Sequence, residues 1–261
     1  MSEQPILFER DGAVARLTLN RPQMGNAIDL PLAKALMEAS IACDEDEGIR
    51  CVVLTGAGRM FCAGGDISGF KAAGDGVPAL LKELTSYLHM AVSRFARMAK
   101  PLVTVINGPA AGAGFSLAVL GDIAIAARSA HFTLAYTAIG LTPDGAATWL
   151  LPSLVGLKRA QELTLTNRRL TADEAAAMGL ITRAVENETL DSEATAVAAQ
   201  LSASATRALG RTRNLLLSSF GNGLEEQMEL ESRSIADSGR DAEGREGITA
   251  FLAKRKPDFT I

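Results

Sequence analysis

The sequence has few residues of the kinds that build metal centres, disulfide frameworks and nucleophile triads. Its 261 residues include only three cysteines and two histidines. Cys43, Cys51 and Cys62 are odd in number and lack metal-ligand spacing, which predicts reduced thiols in a cytoplasmic protein. His89 lies in a helical stretch and His131 in a strand-like one, so core or surface roles without chemistry are favoured for both. We therefore predict no metal site and no histidine-based triad.

Long apolar runs, a targeting segment and an excess of positive charge are also lacking. No run of 18 apolar residues occurs that could span a bilayer. Residues 1–5 carry neither the basic nor the apolar region of a signal peptide. The formal net charge of −4 argues against nucleic-acid and anionic-membrane partners. These absences predict a cytoplasmic protein without a nucleic-acid or membrane partner.

The glycine motifs of nucleotide sites and serine hydrolases are incomplete. The run Val52–Gly58 begins like a dinucleotide fingerprint, but Phe61 stands where the third glycine belongs. Gly112 and Gly114 fail in the same way, with Leu117 at the third position. Neither G-K-[ST] nor G-x-S-x-G occurs. The sequence therefore argues against NAD binding, nucleotide hydrolysis and serine-hydrolase chemistry.

Apolar patterning in the first part of the chain predicts an α/β core. Val14–Leu19 alternates like a strand, whereas Cys51–Thr55 is wholly apolar, the pattern of a strand buried on both faces. Leu102–Ile106 and Ile123–Ala126 resemble the latter. Asp29 is a candidate N-cap for a helix whose apolar face carries Leu32, Leu36, Ala39 and Cys43. Alternation of strands and helices favours the α/β class.

The composition changes near residue 190, after which only helical patterns occur. They are separated by predicted breaks at residues 221–223 and 238–239, and comprise Leu190–Leu201, Ala205–Phe220, Leu224–Ala236 and Ala242–Lys254. We therefore predict a core of residues 1–190 and a helical region of residues 191–261. These helices need a surface for their apolar faces, either the core or a neighbouring subunit.

Two segments rich in small residues follow buried strands and are candidates for a binding site. One is Phe61–Ile67 and the other is Asn107–Gly114. Small side chains let another group approach the backbone, and the start of a helix leaves N–H groups unpaired. Together at the carboxyl edge of the sheet, the segments favour a paired oxyanion hole. Tight packing or simple turns are the alternative for each segment alone.

Asp144 is a lone carboxylate among small and apolar residues. Such an aspartate is commonly a helix N-cap, and residues 145–151 permit a helix after it. The same surroundings also suit a general base. The residues alone leave both roles open.

The sequence resembles the crotonase, or enoyl-CoA hydratase/isomerase, superfamily over essentially its full length. The motifs that carry this resemblance occur in family order: Leu19–Pro22 with Asn26–Ala27, Thr55–Asp66, Asn107–Gly114, Gly121–Ile123, Gly140–Asp144, Glu246–Gly247 and Ala250–Pro257. The resemblance implies an α/β spiral of ββα repeats with a C-terminal helical trimerisation region. It also implies an acyl-CoA thioester substrate, no separate cofactor because coenzyme A enters with the substrate, and a homotrimer or dimer of trimers.

The resemblance also implies roles for individual residues. The family's two oxyanion N–H groups fall on Gly65 and Ala113. Contacts with coenzyme A fall on two loops and on tail residues that reach an adjacent subunit: Asn26, Ala27, Ile28, Ala63, Gly65, Asp66, Ile67, Phe251 and Lys254. Within residues 67–100, the apolar groups expected at the acyl pocket are Phe70, Leu80, Leu84, Tyr87 and Leu88.

Departures from the family pattern bear on the reaction. Family hydratases carry two glutamates at the positions that hold Ser116 and Tyr136 here, whereas Asp144 matches the acid/base of some family isomerases. This implies a 1,3-proton shift on an unsaturated acyl-CoA through a thioester enolate. The alternatives are an atypical enoyl-CoA hydratase and an acyl-CoA-binding protein without turnover. A dehalogenase of aryl-CoA thioesters ranks low, because it needs a tryptophan and a histidine near the site and Trp149 follows the acid.

Three segments point to one branch of the family. They look most like the isomerase that acts on the ring epoxide of phenylacetyl-CoA, and they are Ala110–Gly114, Ala126–Ala130 and Thr148–Pro152. This resemblance favours the isomerase over the hydratase.

Overall fold

A computed structural model describes residues 4–260 and has a mixed α/β architecture, as predicted. Its larger sheet has six strands, in the order β1 (Ile6–Asp11), β2 (Val14–Leu19), β3 (Cys51–Gly56), β4 (Leu102–Ile106), β6 (Ile123–Ala127) and β9 (Arg183–Val185). Only β1 and β2 pair antiparallel within it; the other neighbours are parallel. A smaller sheet contains β5 (Ala110–Ala111), β7 (His131–Thr133) and β8 (Leu170–Thr171).

The α-helices of the described residues occur in both halves of the chain and predominate after residue 146. They are α1 (Leu30–Glu45), α2 (Ile67–Ala73), α3 (Val77–Arg97), α4 (Ala113–Ala118), α5 (Ala147–Val155), α6 (Leu157–Thr166), α7 (Ala172–Ala177), α8 (Leu190–Ser202), α9 (Thr206–Ser218), α10 (Leu224–Arg240) and α11 (Ala242–Leu252). The segment Asn107–Gly114 begins directly after β4, and four residues separate Phe61–Ile67 from the end of β3, so both follow the carboxyl ends of parallel strands.

Strand β3 is buried on both faces, as its apolar run predicts. Val52 and Leu54 belong to the core shared with α1 and α3. Cys51 and Val53 face the other way and pack in a second cluster that includes residues of α8. Helix α1 also begins as predicted, since the Asp29 carboxylate accepts a hydrogen bond from the backbone N–H of Leu32 at 2.9 Å. Apolar side chains thus set both the layer order and the position of the first helix.

Strand β1 was not predicted from the sequence. It pairs with β2 through the turn at residues 12–13, yet Ile6 is its only buried residue. An edge strand with a single buried side chain has no apolar alternation to reveal it.

The helices after residue 190 divide between the core and the surface. Leu190, Ala194 and Ala198 of α8 pack on the larger sheet. Helix α10 has no buried residue. The break predicted at residues 238–239 is wrong, because α10 continues to Arg240. Gly244 of α11 packs closely against the end of α10. A Cβ on Gly244 would overlap the carbonyl oxygen of Ser238, so a glycine is needed for this contact.

Arg213 attaches α9 to the core. Its guanidinium is 2.7 Å from the Asp122 carboxylate and donates hydrogen bonds to the carbonyl oxygens of Phe95 and Met98. The side chain is only 8% exposed. Two of its partners are backbone carbonyls at the end of α3, so one buried cation joins α9, α3 and the start of β6.

The variant Arg213→Met is expected to lower the free energy of unfolding by about 3 kcal/mol, because it leaves these acceptors and Asp122 without their cation. Denaturant titration followed by circular dichroism measures the change. Arg233→Met is the control, since Arg233 is exposed and, within residues 4–260, pairs with Glu229 alone, one turn away on α10. Equal stability of the two variants would contradict the anchoring role.

None of the helices among the described residues is long and apolar enough to cross a membrane.

Candidate active site

Two backbone segments meet at the carboxyl edge of the sheet. Cys62 and Ala110 form a parallel bridge, and the Ala111 N–H donates to the Cys62 carbonyl oxygen at 2.9 Å. A Cβ on Gly114 would overlap that same carbonyl group. The small residues that the sequence places in both segments are therefore required for this close approach.

Each segment presents a backbone N–H that has no acceptor within residues 4–260. One belongs to Gly65, and the other to Ala113, the first residue of α4. The first N–H groups of a helix have no partner inside the helix, which explains the second. Both residues line the same cavity. The structure thus brings together the two positions that the sequence suggested for an oxyanion hole.

This inner cavity has a volume of about 360 Å³ and mostly apolar walls. Its lining comes from the two small-residue segments, from α2 and α3, and from the loop between β7 and α5. The lining residues used below are Gly65, Ala113, Tyr136 and Asp144. Apolar walls of this kind suit an acyl group.

Asp144 does not cap a helix. Helix α5 begins at Ala147, its N-cap position is Ala146, and no side chain caps it. The Asp144 carboxylate instead lines the inner cavity and accepts a hydrogen bond from the Tyr136 hydroxyl, 2.6 Å from Oδ1. The N-cap interpretation is therefore wrong, and the structure leaves this carboxylate available for chemistry.

Ser116 and Tyr136, the positions of the two missing glutamates, both contact Asp144. The Ser116 hydroxyl donates to the Asp144 carbonyl oxygen at 3.0 Å. Burial, together with the neighbouring Asp144 charge, raises the pKa of Tyr136. The phenol therefore keeps its proton and acts as the donor in its bond to the carboxylate.

The two histidines have different surroundings. His131 lies in β7 beside Arg169, and burial and that positive charge lower its pKa. His89 lies on the exposed side of α3, yet its Nε2 accepts a hydrogen bond from the Gly145 N–H at 3.1 Å. A histidine thus stands next to the loop that carries Asp144, which sequence reasoning missed because the two are 55 positions apart in the chain.

The predicted coenzyme A loops lie side by side. The Ile28 N–H donates to the Gly64 carbonyl oxygen at 2.7 Å, and the Asp66 N–H donates back to that of Ile28 at 3.0 Å. Asn26 is fully buried, and its side-chain amide donates to the carbonyl oxygens of residues 57, 60 and 61. These hydrogen bonds fix the backbone of the segment that follows β3.

Not every residue predicted to contact coenzyme A lines the inner cavity. Ala63, Gly65 and Ile67 do, whereas Asn26, Ala27, Ile28 and Asp66 do not. Asp66 caps α2 through the Gly69 N–H and pairs with Arg21.

The tail residues lie elsewhere. Phe251 is 83% exposed at the end of α11. It and the exposed Lys254 are not part of the inner cavity of their own subunit.

Of the five residues expected at the acyl pocket, Phe70 and Leu84 line the inner cavity. Leu80 and Tyr87 do not line the inner cavity, and Leu88 is fully buried in the core. Other residues of the lining were not expected from the sequence. They lie on α3 next to Leu84 and in the loop between β7 and α5, and are Leu81, Lys82, Thr85, Ile139, Leu141 and Pro143. Helical spacing relative to Leu84 would have indicated Leu81.

Comparisons with known proteins converge on one family. A family model described as enoyl-CoA hydratase/isomerase matches residues 9–261. The 1,2-epoxyphenylacetyl-CoA isomerase of Escherichia coli K12 is 41% identical over 98% of both chains. A probable enoyl-CoA hydratase of Rhodobacter capsulatus is 37% identical, covering 100% of this chain and 99% of the relative.

Solved structures agree as well. The crystal structure of an enoyl-CoA hydratase from Polaromonas sp. JS666 superposes with a TM-score of 0.93 at 34% identity, covering 97% of this chain and 98% of the other. The predicted crotonase-like fold is therefore confirmed, as is the likeness to the epoxyphenylacetyl-CoA isomerase.

Proposed function

We propose that this chain, which belongs to the enoyl-CoA hydratase/isomerase family, isomerises an unsaturated acyl-CoA by a 1,3-proton shift. One observation carries the proposal: two N–H groups without an acceptor and one carboxylate surround a single cavity. Asp144 is the only carboxylate among the residues that line it. A proton shuttle needs one such group, whereas the addition of water normally uses a base and an acid.

In the proposed reaction, the thioester oxygen accepts hydrogen bonds from the N–H groups of Gly65 and Ala113. Asp144 removes a proton from C2 of a 3-enoyl-CoA, and the electron pair moves into a dienolate whose charge rests on the thioester oxygen. The two N–H groups stabilise that charge. Asp144 then returns the proton to C4, which leaves the double bond between C2 and C3. Coenzyme A takes part only as a portion of the substrate, so no separate cofactor is proposed.

Tyr136 supports the same step. Its hydroxyl donates a hydrogen bond to Oδ1 of Asp144, so Oδ2 is the oxygen that takes the substrate proton and returns it. The raised pKa of the phenol keeps it a donor while the carboxylate changes its protonation state.

The second candidate is hydration of a 2-enoyl-CoA, with Asp144 alone organising the water. The name of the Rhodobacter capsulatus relative favours it, whereas the name of the Escherichia coli relative favours an isomerase. The lack of a second carboxylate in the lining makes isomerisation the better-supported reaction.

Mass spectrometry of products separates these candidates. With 3-enoyl-CoA in buffer, isomerisation leaves the mass unchanged. In deuterium oxide, the acyl chain gains deuterium to the extent that the proton on Asp144 exchanges with solvent before its return. With 2-enoyl-CoA, hydration adds the mass of one water. We expect rapid isomerisation and little hydration. Fast hydration without isomerisation would favour the second candidate, and no turnover on a panel of short, medium, aromatic and cyclic acyl-CoA thioesters would favour binding alone.

The helical region supports a proposal about assembly, namely a homotrimer or a dimer of trimers. Large apolar side chains on α9, α10 and α11 are exposed in the isolated chain, including Leu216, Leu224, Met228, Ile235, Ile248 and Leu252. A face of this kind is normally covered by a partner. In the proposed trimer, Lys254 of one subunit reaches the coenzyme A phosphates bound to the next.

Light scattering is expected to give three or six times the mass of one chain at micromolar concentration. Lys254→Ala is expected to weaken coenzyme A binding at low salt and to change it little at high salt, where the phosphate contact is screened. Lys34→Ala is the control, since Lys34 is exposed on α1 and pairs with Glu38 on the same helix. A stable and active monomer would exclude the assembly, and unchanged affinity in Lys254→Ala would exclude the phosphate contact.

A further inference from the structure

The peptide group that joins Asp144 to Gly145 is held on both sides by side chains from distant elements. Its carbonyl oxygen accepts from the Ser116 hydroxyl on α4, at 3.0 Å. Its N–H donates to Nε2 of His89 on α3, at 3.1 Å. Two helices thus hold one peptide plane directly after the carboxylate that the proposed reaction uses.

This peptide plane lies where the backbone has an unusual conformation. Gly145 has φ +58° and Ala146 has φ +67°, so two successive residues are left-handed and one of them carries a Cβ. An alanine rarely adopts this conformation unless surrounding contacts impose it. The bonds from Ser116 and His89 are such contacts, because they can form together in only one orientation of the plane.

His89 makes its contact from outside the substrate site. Its ring is exposed and does not line the inner cavity. It lies in a second cavity on the outer side of the loop, beside Ser93, Ala146 and Trp149. A histidine in this position cannot touch a substrate in the inner cavity, so its effect on catalysis has to pass through the loop.

We propose that His89 is a positioning residue that orients the Asp144 carboxylate through the Gly145 N–H. This rests on the proposed role of Asp144 as the acid/base. The Tyr136 hydroxyl donates to Oδ1 of the carboxylate, whereas Ser116 and His89 bind the peptide group between Asp144 and Gly145. Both the side chain and the backbone of Asp144 are therefore held, and together they set the direction of Oδ2. To accept the N–H, the imidazole is neutral and carries its proton on Nδ1.

Three substitutions at one position test the acceptor role. His89→Gln places an amide oxygen near the position of Nε2, His89→Asn places one too far back, and His89→Leu has no acceptor. Loss of the bond misplaces the reacting oxygen, which is expected to reduce kcat of the Asn and Leu variants roughly 10- to 100-fold. His89→Gln is expected to retain kcat within about threefold, since the hydrogen bond is restored. KM is expected to stay near the wild-type value in all three, since His89 does not line the inner cavity.

Ser93→Ala is the matched control. Ser93 lies one turn further along α3 and lines the same outer cavity, so its variant is expected to keep wild-type kcat. Thermal unfolding of every variant shows whether a loss of kcat reflects loss of the fold.

A measurement on the unaltered protein complements the variants. Nitrogen-15 NMR of histidine-labelled protein reports the tautomer of each ring, and His131→Gln identifies the His89 signals because the chain has two histidines. We expect Nδ1–H and an unprotonated Nε2 for His89. The opposite tautomer at assay pH would overturn the proposal.

The kinetic outcomes also distinguish this proposal from the one it rests on. Wild-type kcat in His89→Leu, with Asp144→Asn inactive, would overturn the role of His89 and leave that of Asp144 intact. Equal loss in His89→Gln and His89→Leu would overturn the acceptor role. Full activity of Asp144→Asn would overturn the proposed function itself.

Discussion

Asp144→Asn is expected to lower the turnover of 3-enoyl-CoA by about 10²- to 10⁴-fold, the usual contribution of a general acid/base. The amide has the shape of the carboxylate and can still accept the hydrogen bond from Tyr136. It cannot take the C2 proton, so the dienolate does not form at an appreciable rate. KM is expected to change little, because the cavity walls are unaltered.

Two readouts make this test specific. One is the rate of conversion to 2-enoyl-CoA, and the other is the exchange of the C2 hydrogen with deuterium oxide, which reports proton removal even when no product leaves. Asp75→Asn is the control, since Asp75 is exposed in the turn before α3 and makes no contact with the inner cavity. Unimpaired isomerisation by Asp144→Asn would exclude Asp144 as the acid/base.

The second large effect is expected from Ala113→Pro, which deletes one of the two proposed oxyanion N–H groups. Removing a single oxyanion donor typically lowers kcat by about 10²- to 10³-fold. Proline is tolerated here because Ala113 is the first residue of α4, where the N–H has no partner in the helix. Gly112 before it has φ +53° and ψ −129°, a positive-φ glycine conformation outside the right-handed helical region that is disfavoured before proline.

Ala113→Gly is the matched control for this substitution, because it removes the methyl group and keeps the N–H. Its kcat is expected to stay within about threefold of the wild type, whereas a loss equal to that of proline would point to packing at this position. Circular dichroism and unfolding of both variants verify that α4 remains formed. A proline variant that is folded and fully active would exclude the Ala113 N–H from the oxyanion hole.

Local sequence patterns were sufficient for the layers of the fold. The apolar runs at Cys51–Thr55 and Leu102–Ile106 predicted strands buried on both faces, and both strands are found there. Asp29 predicted the start of α1, since a cap bond joins residues only three apart. Patterns of this kind succeed because each depends on neighbouring residues or on one repeating period. Strand β1 was not predicted, because one buried residue does not produce an alternating apolar pattern.

The immediate surroundings of Asp144 could not be predicted in the same way. The residues around it left both a helix cap and a general base open. The cap was excluded by the start of α5 at Ala147 and by the hydrogen bond from a hydroxyl eight residues earlier. Leu88 was expected at the acyl pocket because it is one of the apolar groups within residues 67–100. That side chain points into the core, whereas Leu81, two turns earlier, reaches the inner cavity.

The sequence by itself determined the strands buried on both faces, the start of α1, the two small-residue segments that follow β3 and β4, and the family to which the chain belongs. The tertiary structure alone decided that Gly65, Ala113 and Asp144 line one cavity, and that His89 and Ser116 hold the peptide after Asp144. The physical reason is distance along the chain. Hydrogen bonds between α3, α4 and the loop before α5 form only after all three have packed around the same core. The types of the residues along the chain show no periodic pattern that would reveal such contacts.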